Sequence, residues 1–183
     1  VLVRLHTDAG LVGLGEATPL ADWGGDHQRH GGETTQTVVS MVTDVLGPAL
    51  VGFDPRAFMM LPDLMDRVVK GNSYAKAAVD MAVHDLAGKA AGLPVHRLLG
   101  GPVRDRVQIA HMVGIMDWDD AIAEAHGAVD DGVRALQIKG GEDPQRDLAL
   151  VQELRQRLGP DVALRLDANQ GYRRAKAALA ILD

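Results

Sequence analysis

Apolar and polar residues alternate in Val1–Leu5 and again in Leu11–Ala17, which predicts two strands joined by a turn at Asp8-Ala9-Gly10. The spacing then changes to that of a helix. Val38, Met41, Val42, Val45 and Leu46 fall on one helical face, and Gly47-Pro48 is expected to stop it. Asp54-Pro55 reads as a cap followed by proline in the first turn. Phe58, Leu61, Met65 and Val68 extend that face, with Pro62 kinking or delaying the helix. Ser73 is the expected cap of the next helix, whose stripe is Val79, Ala82, Val83, Leu86 and Ala90, with Gly92 and Pro94 ending it.

Gly100-Gly101-Pro102 reads as a linker, after which strands and helices alternate. Val107–Val113, Val133–Lys139 and Val162–Asp167 are predicted strands, each followed by a helix: Asp119–Asp131, Pro144–Leu158 and Arg173–Leu182. Repeated βα units predict a parallel sheet, open or closed into a barrel. The faces of the strands choose between these. Leu136 and Ile138 share one face of their strand, while Ala135, Gln137 and Lys139 share the other. Val162, Leu164 and Leu166 likewise oppose Ala163, Arg165, Asp167 and then Asn169. An open parallel sheet is covered by helices on both faces and should be apolar on both. A barrel turns its apolar face to the helix ring and its polar face inward, with function at the C-terminal strand ends. Lys139 and Asp167 therefore converge. By spacing alone they read equally as a structural ion pair or as part of an active site.

Composition narrows the function classes. The 183 residues carry a formal charge of −6, which argues against a nucleic-acid or anionic-membrane surface. Hydrophobic residues make up 46%, as in a folded globular chain, and aromatics only 3%, so aliphatic side chains must fill the core. There is no cysteine, hence no disulfide framework or thiolate metal site, which suits a reducing cytoplasm. No apolar run approaches the ~20 residues of a membrane span. The scattered histidines, His84, His96, His111 and His126, lack metal-ligand spacing and read as ordinary surface or interior residues.

The stretch Ala75–Gly101, AKAAVDMAVHDLAGKAAGLPVHRLLGG, resembles the signature preceding the barrel in the mandelate racemase and muconate-lactonizing branch of the enolase superfamily. Gln137-Ile-Lys139-Gly-Gly is similar to that family's Lys-x-Lys motif, and Asp167-Ala-Asn169-Gln170 to its first metal-ligand strand. The resemblance implies an α+β capping domain over residues 1–101, followed by a partial α/β TIM-type barrel over 102–183 that is (β/α)7β-like in the full-length protein. It implies Mg²⁺, with Mn²⁺ as a possible substitute, held in part by Asp167. It implies Lys139 as the acid/base that removes a proton from the carbon beside a carboxylate, giving an enediolate that a hard cation stabilises. The other possibility for Lys139 is a cation that only binds the substrate carboxylate. Gln137 departs from the family's usual Lys, keeping hydrogen bonds but losing a charge.

Gln137 and Asn169 are expected to bind substrate or support the site. The loop Thr18–Gly32 matches the family's substrate-closing loop, so Asp22, Trp23 and His27, with Asp26 and His30, are candidate substrate contacts. Lys70, Asn72 and Tyr74 are further, weaker candidates. The expected reaction is racemisation, epimerisation or cycloisomerisation of a small carboxylate. Dehydration of a hydroxy acid or sugar acid is an alternative by the same first step, and a non-catalytic relative is the alternative from another class. A homo-oligomer in the cytoplasm, without nucleic acid or membrane as partner, is expected. With one implied metal ligand and a partial barrel, the chain reads as a truncated and inactive portion of the enzyme.

Overall fold

The computed structural model describes residues 1–19, 32–169, 171–172 and 174–182. The chain divides into two compact units at Asp105/Arg106, a little beyond the Gly100-Gly101-Pro102 linker.

In the first unit β1 (Leu2–His6) and β2 (Val12–Glu16) form an antiparallel hairpin in which Leu2 faces Glu16 and His6 faces Val12. Gly10 supplies the turn's left-handed residue at φ +78°. The helices α1 (Thr35–Ser40) and α2 (Gly47–Leu50) are joined without a break by a π-helical stretch, Met41–Leu46. Gly47-Pro48 therefore does not stop the helix as expected. The wider turn lets the Gly47 N–H reach the Val42 carbonyl, five residues back, and admits a proline that cannot make the ordinary helical bond. A Cβ on Gly47 would stand only 2.7 Å from that carbonyl oxygen.

A 3₁₀ turn over Pro55–Met60, capped by Asp54, precedes α3 (Leu61–Val68), with Pro62 in its first turn. Proline here delays the helix rather than kinking it. The long α4 (Ser73–Ala91) and short α5 (Val95–Leu98) complete the unit. Ser73 is not the cap of α4. Asn72, left-handed at φ 56°, stands before it, and the Glu33 carboxylate accepts from the backbone N–H groups of Tyr74 at 2.9 Å and Ala75 at 3.1 Å. A carboxylate among the orphan donors of a helix N-terminus is favoured by hydrogen bonding and by the helix dipole together.

Val38, Leu46, Leu61, Met65, Val79 and Val83 fill the core of this unit, with Val3 from the hairpin. Between β2 and α4 the contact is made by main chain. A Cβ on Gly13 would lie 2.1 Å from the Ala82 carbonyl oxygen, and one on Gly15 would lie 1.8 Å from that of Ala78. Gly15→Ala must push strand and helix apart, and is expected to lose about 3 kcal/mol or more, at the upper end of overpacking effects. Gly127→Ala is the contrast. It lies inside a helix of the second unit with nothing within 4 Å of the new methyl. It should gain about 0.5–1 kcal/mol through helix propensity and a less free unfolded chain. Urea unfolding midpoints would separate the two; similar midpoints would contradict this packing.

In the second unit β3 (His111–Val113), β4 (Ala135–Lys139) and β5 (Ala163–Asp167) form a parallel sheet in that order, with α6 (Trp118–Asp130), α7 (Pro144–Leu158) and α8 (Ala175–Leu182) between and after them. Strand β3 is shorter than the expected Val107–Val113. His111 pairs with Leu136, so Val107, Gln108 and Ile109 would stand opposite Gly132, Val133 and Arg134, before β4 begins. Val107 and Ile109 accordingly stay 73% and 70% exposed. Val113, Leu136, Ile138, Leu150, Leu154 and Val162 form the core on one face of the sheet. Asp143 caps α7, accepting from the backbone of Gln145 and Arg146.

Candidate active site

The burial of Leu136 and Ile138 orients everything on β4. Both are almost completely enclosed, so the alternate positions Gln137 and Lys139 must lie on the opposite face. On β5, Leu164 and Leu166 are partly buried against the same core, so Arg165 and Asp167 likewise take the opposite face. The register sets Gln137 beside Arg165 and Lys139 beside Asp167 at the C-terminal strand ends.

There the side chains converge. Lys139 Nζ donates to Asp167 Oδ2 at 2.9 Å and to Asn169 Oδ1 at 2.8 Å. Gln137 Nε2 donates to the same Asp167 oxygen at 2.6 Å. Asn169, left-handed at φ 45°, turns its backbone N–H back onto Asp167 Oδ1 at 3.1 Å. Asparagine is among the residues that tolerate this conformation. The Lys139 ammonium, and after it the Asn169 N–H, hold the Asp167 carboxyl below the usual carboxylate range, against the opposing effect of burial. Lys139 and Asp167 side chains both remain 23% exposed, so the pair is sheltered yet reachable.

The four residues expected on this unit, Gln137, Lys139, Asp167 and Asn169, are thus brought together in one hydrogen-bonded cluster. Asp22, Trp23, Asp26, His27 and His30 lie outside the described residues. Lys70, Asn72 and Tyr74 belong to the first unit, at the start of α4. His84 packs against Phe58 with ring centroids 4.8 Å apart and the ring planes tilted by 49°, and His111 pairs with Glu124 at 2.9 Å.

Two residues that the sequence pattern did not single out hold the loops behind the cluster. Asp147, on the first turns of α7, accepts from the Gly141 N–H at 2.7 Å and from the Tyr172 hydroxyl at 2.7 Å. Burial, and then the Asp147 carboxylate, push the Tyr172 hydroxyl above the usual phenol range. The available signal was an acid one turn inside a helix that opens just after a double glycine.

As a cation site the cluster has suitable chemistry but few ligands. Asp167 and Asn169 offer carboxylate and amide oxygens, the donors a hard divalent ion prefers. No group of three or more metal-ligating side chains is found among the described residues. Asp167 would supply one protein ligand, and further oxygens would have to come from water, substrate or other residues.

Residues 1–100 match the family model of the mandelate racemase / muconate lactonizing enzyme N-terminal domain, and residues 120–182 match the enolase C-terminal domain-like model. The L-Ala-D/L-Glu epimerase of Bacillus subtilis (strain 168) is 37% identical over 99% of this chain and 48% of its own length. Muconate cycloisomerase 1 of Pseudomonas putida is 34% identical over 98% of this chain and 47% of its own. The crystal structure of N-succinyl Arg/Lys racemase from Bacillus cereus ATCC 14579 superimposes with a TM-score of 0.88 at 29% identity, over 99% of this chain and 47% of that one. The chain spans about half the length of the curated relatives it matches. Its fold is that of their capping domain and the first part of their barrel. The chain belongs to the mandelate racemase / muconate lactonizing enzyme branch of the enolase superfamily.

Proposed function

We propose that the protein carrying this chain moves a proton at the carbon beside a carboxylate, and that its reaction is racemisation or epimerisation of an amino-acid-derived carboxylate. The observation that supports this most directly is the convergence of Lys139 on Asp167 and Asn169, within hydrogen-bond distance at adjacent strand ends. Relatives named as dipeptide epimerases and N-succinyl amino-acid racemases point to the substrate class.

Lys139 is the acid/base. It must first shed its own proton, after which its free amine takes one from the substrate carbon and becomes the ammonium; inversion follows when the carbon takes its new proton on the opposite face. Asp167 holds the ammonium form of Lys139 between turnovers and would hold Mg²⁺ when the ion is bound. The ion would supply stabilisation of the negative charge that builds on the substrate carboxylate. Gln137 fixes the Asp167 carboxylate through its amide. Asn169 fixes the opposite side of the same group and orients the Lys139 ammonium. Inversion further requires a second acid/base on the other face of the substrate, which the described residues do not supply.

Cycloisomerisation is the second reading, favoured by the similarity to muconate cycloisomerases. One experiment divides them. The complete protein, with Mg²⁺ in ²H₂O, is incubated with N-succinyl-L-arginine, L-Ala-L-Glu and cis,cis-muconate in turn. Deuterium gained at the α-carbon of the first two is the expected result. Lactone formation from muconate alone would favour the second reading. No exchange, no lactone and no Mg²⁺-dependent rise in melting temperature would leave a non-catalytic relative as the better account.

A further inference from the structure

Asp147 is the one buried charged side chain recorded among the described residues, only 3% exposed. Its backbone is fixed in α7 by the bond from its N–H to the Asp143 carbonyl at 2.9 Å. Below it, Leu150 and Leu154 lock the helix into the core. From this anchor a single oxygen, Oδ2, accepts from two different loops: the Gly141 N–H after β4 and the Tyr172 hydroxyl after β5. The loops are themselves pressed together. A Cβ on Gly141 would stand 2.1 Å from the Ala168 carbonyl oxygen, and one on Gly171 would stand 2.2 Å from that of Gly141. Gly140 donates to the Asp167 carbonyl at 3.0 Å, and a Cβ on it would meet the Asp147 carboxylate at 2.5 Å. Glycine at these positions is what lets the carboxylate reach both loops.

The loop after β4 begins at Lys139, and the loop after β5 contains Asn169 and begins at Asp167. Among the described residues, no other side chain on a helix bonds to both loops. We infer that Asp147 is a positioning residue: anchored on α7, it clasps Gly141 and Tyr172 and thereby fixes the spacing of Lys139 against Asp167 and Asn169. The inference rests on the proton transfer proposed for Lys139. A misplacement of about 1 Å in such a pair is enough to slow a reaction about 100-fold.

The test compares Asp147→Ala, Asp147→Asn and Tyr172→Phe in the complete protein. Asp147→Ala is expected to lower kcat about 10- to 100-fold with KM changed less than about 3-fold, since proton transfer and not binding is disturbed. Asp147→Asn keeps an oxygen at the position of both contacts and should recover most of that loss. Tyr172→Phe, which frees only the second loop, should fall between them. Ile122→Ala, a core truncation on α6 and away from the clasp, controls for stability: it should lower the melting temperature without lowering kcat.

A second measurement needs no substrate. In a crystal structure of Asp147→Ala, Lys139 Nζ should no longer lie within hydrogen-bond distance of Asp167 Oδ2. A kcat equal to that of the unaltered protein, or a Lys139–Asp167 pair intact in the crystal, overturns the clasp. Should the unaltered protein exchange no α-proton, the proposed function fails, and the crystal structure alone decides whether Asp147 sets the spacing.

Discussion

Lys139→Arg in the complete protein should abolish nearly all α-proton exchange of the substrate configuration whose α-proton faces residue 139, with a loss of about 10²–10⁴-fold, the usual contribution of a positioned acid/base. The arginine keeps the positive charge and can keep the contact with Asp167, which Lys139 makes at 2.9 Å. It cannot lose its proton in a protein, so it cannot accept one from carbon. That makes it a sharper substitution than Lys139→Ala, which removes the charge, the ion pair and the base together. If Lys139 only steers the substrate carboxylate, arginine should serve almost as well, with KM shifted and kcat kept. Single-turnover exchange measured by NMR in ²H₂O separates these outcomes, because it reads proton removal without waiting for inversion. Stability should change little, since an ion pair of this exposure contributes about 0–1 kcal/mol. A Lys139→Arg protein exchanging at the unaltered rate would remove Lys139 from the chemistry.

Asp167→Asn should act through the metal. Asparagine fits the same space and can still accept from the Lys139 ammonium and the Gln137 amide, which meet Asp167 Oδ2 at 2.9 and 2.6 Å. What it lacks is the charge that draws a hard divalent ion. The unaltered protein should melt higher as Mg²⁺ is added, because a ligand at 100 times its Kd stabilises by about 2.7 kcal/mol. In Asp167→Asn that rise should disappear at the same concentration, while the melting temperature without Mg²⁺ stays close to that of the unaltered protein. Exchange should fall by at least about 100-fold, as expected when a group that stabilises developing charge is lost. Scanning calorimetry over a magnesium series checks the first part independently of any substrate. An undiminished magnesium response would mean that Asp167 is no ligand, whatever happens to the rate.

The strands that carry these residues were legible because strand periodicity is direct. Once Leu136 and Ile138 are recognised as core positions, the facing of Gln137 and Lys139 follows from alternation alone. The same rule places Asp167, and parallel pairing brings it beside Lys139. The roles came from resemblance to a known family, since periodicity cannot tell a base from a structural ion pair. What was not legible is what depends on distance through the fold. The Glu33 cap lies 40 residues before Ser73, with no local pattern linking them. The Asp147–Tyr172 bond spans 25 residues and two loops. Gly47-Pro48 looked like a helix stop because ordinary helical hydrogen bonding cannot accommodate it, and the rarer i→i+5 turn can. Strand β3 was overextended because its apolar alternation runs on past the point where a neighbouring strand exists to pair with it.

The side-by-side setting of Lys139 and Asp167 leaves their strands intolerant of changes in length. One residue inserted or deleted within β4 would exchange its two sides, burying an ammonium and an amide among leucines while turning Leu136 and Ile138 outward. Substitutions here can diminish the site by degrees; indels dismantle it together with the layer beneath. Sequence drift in this part of the protein is therefore confined to replacing letters, and lengthening or shortening is left to segments that no paired strand has to count.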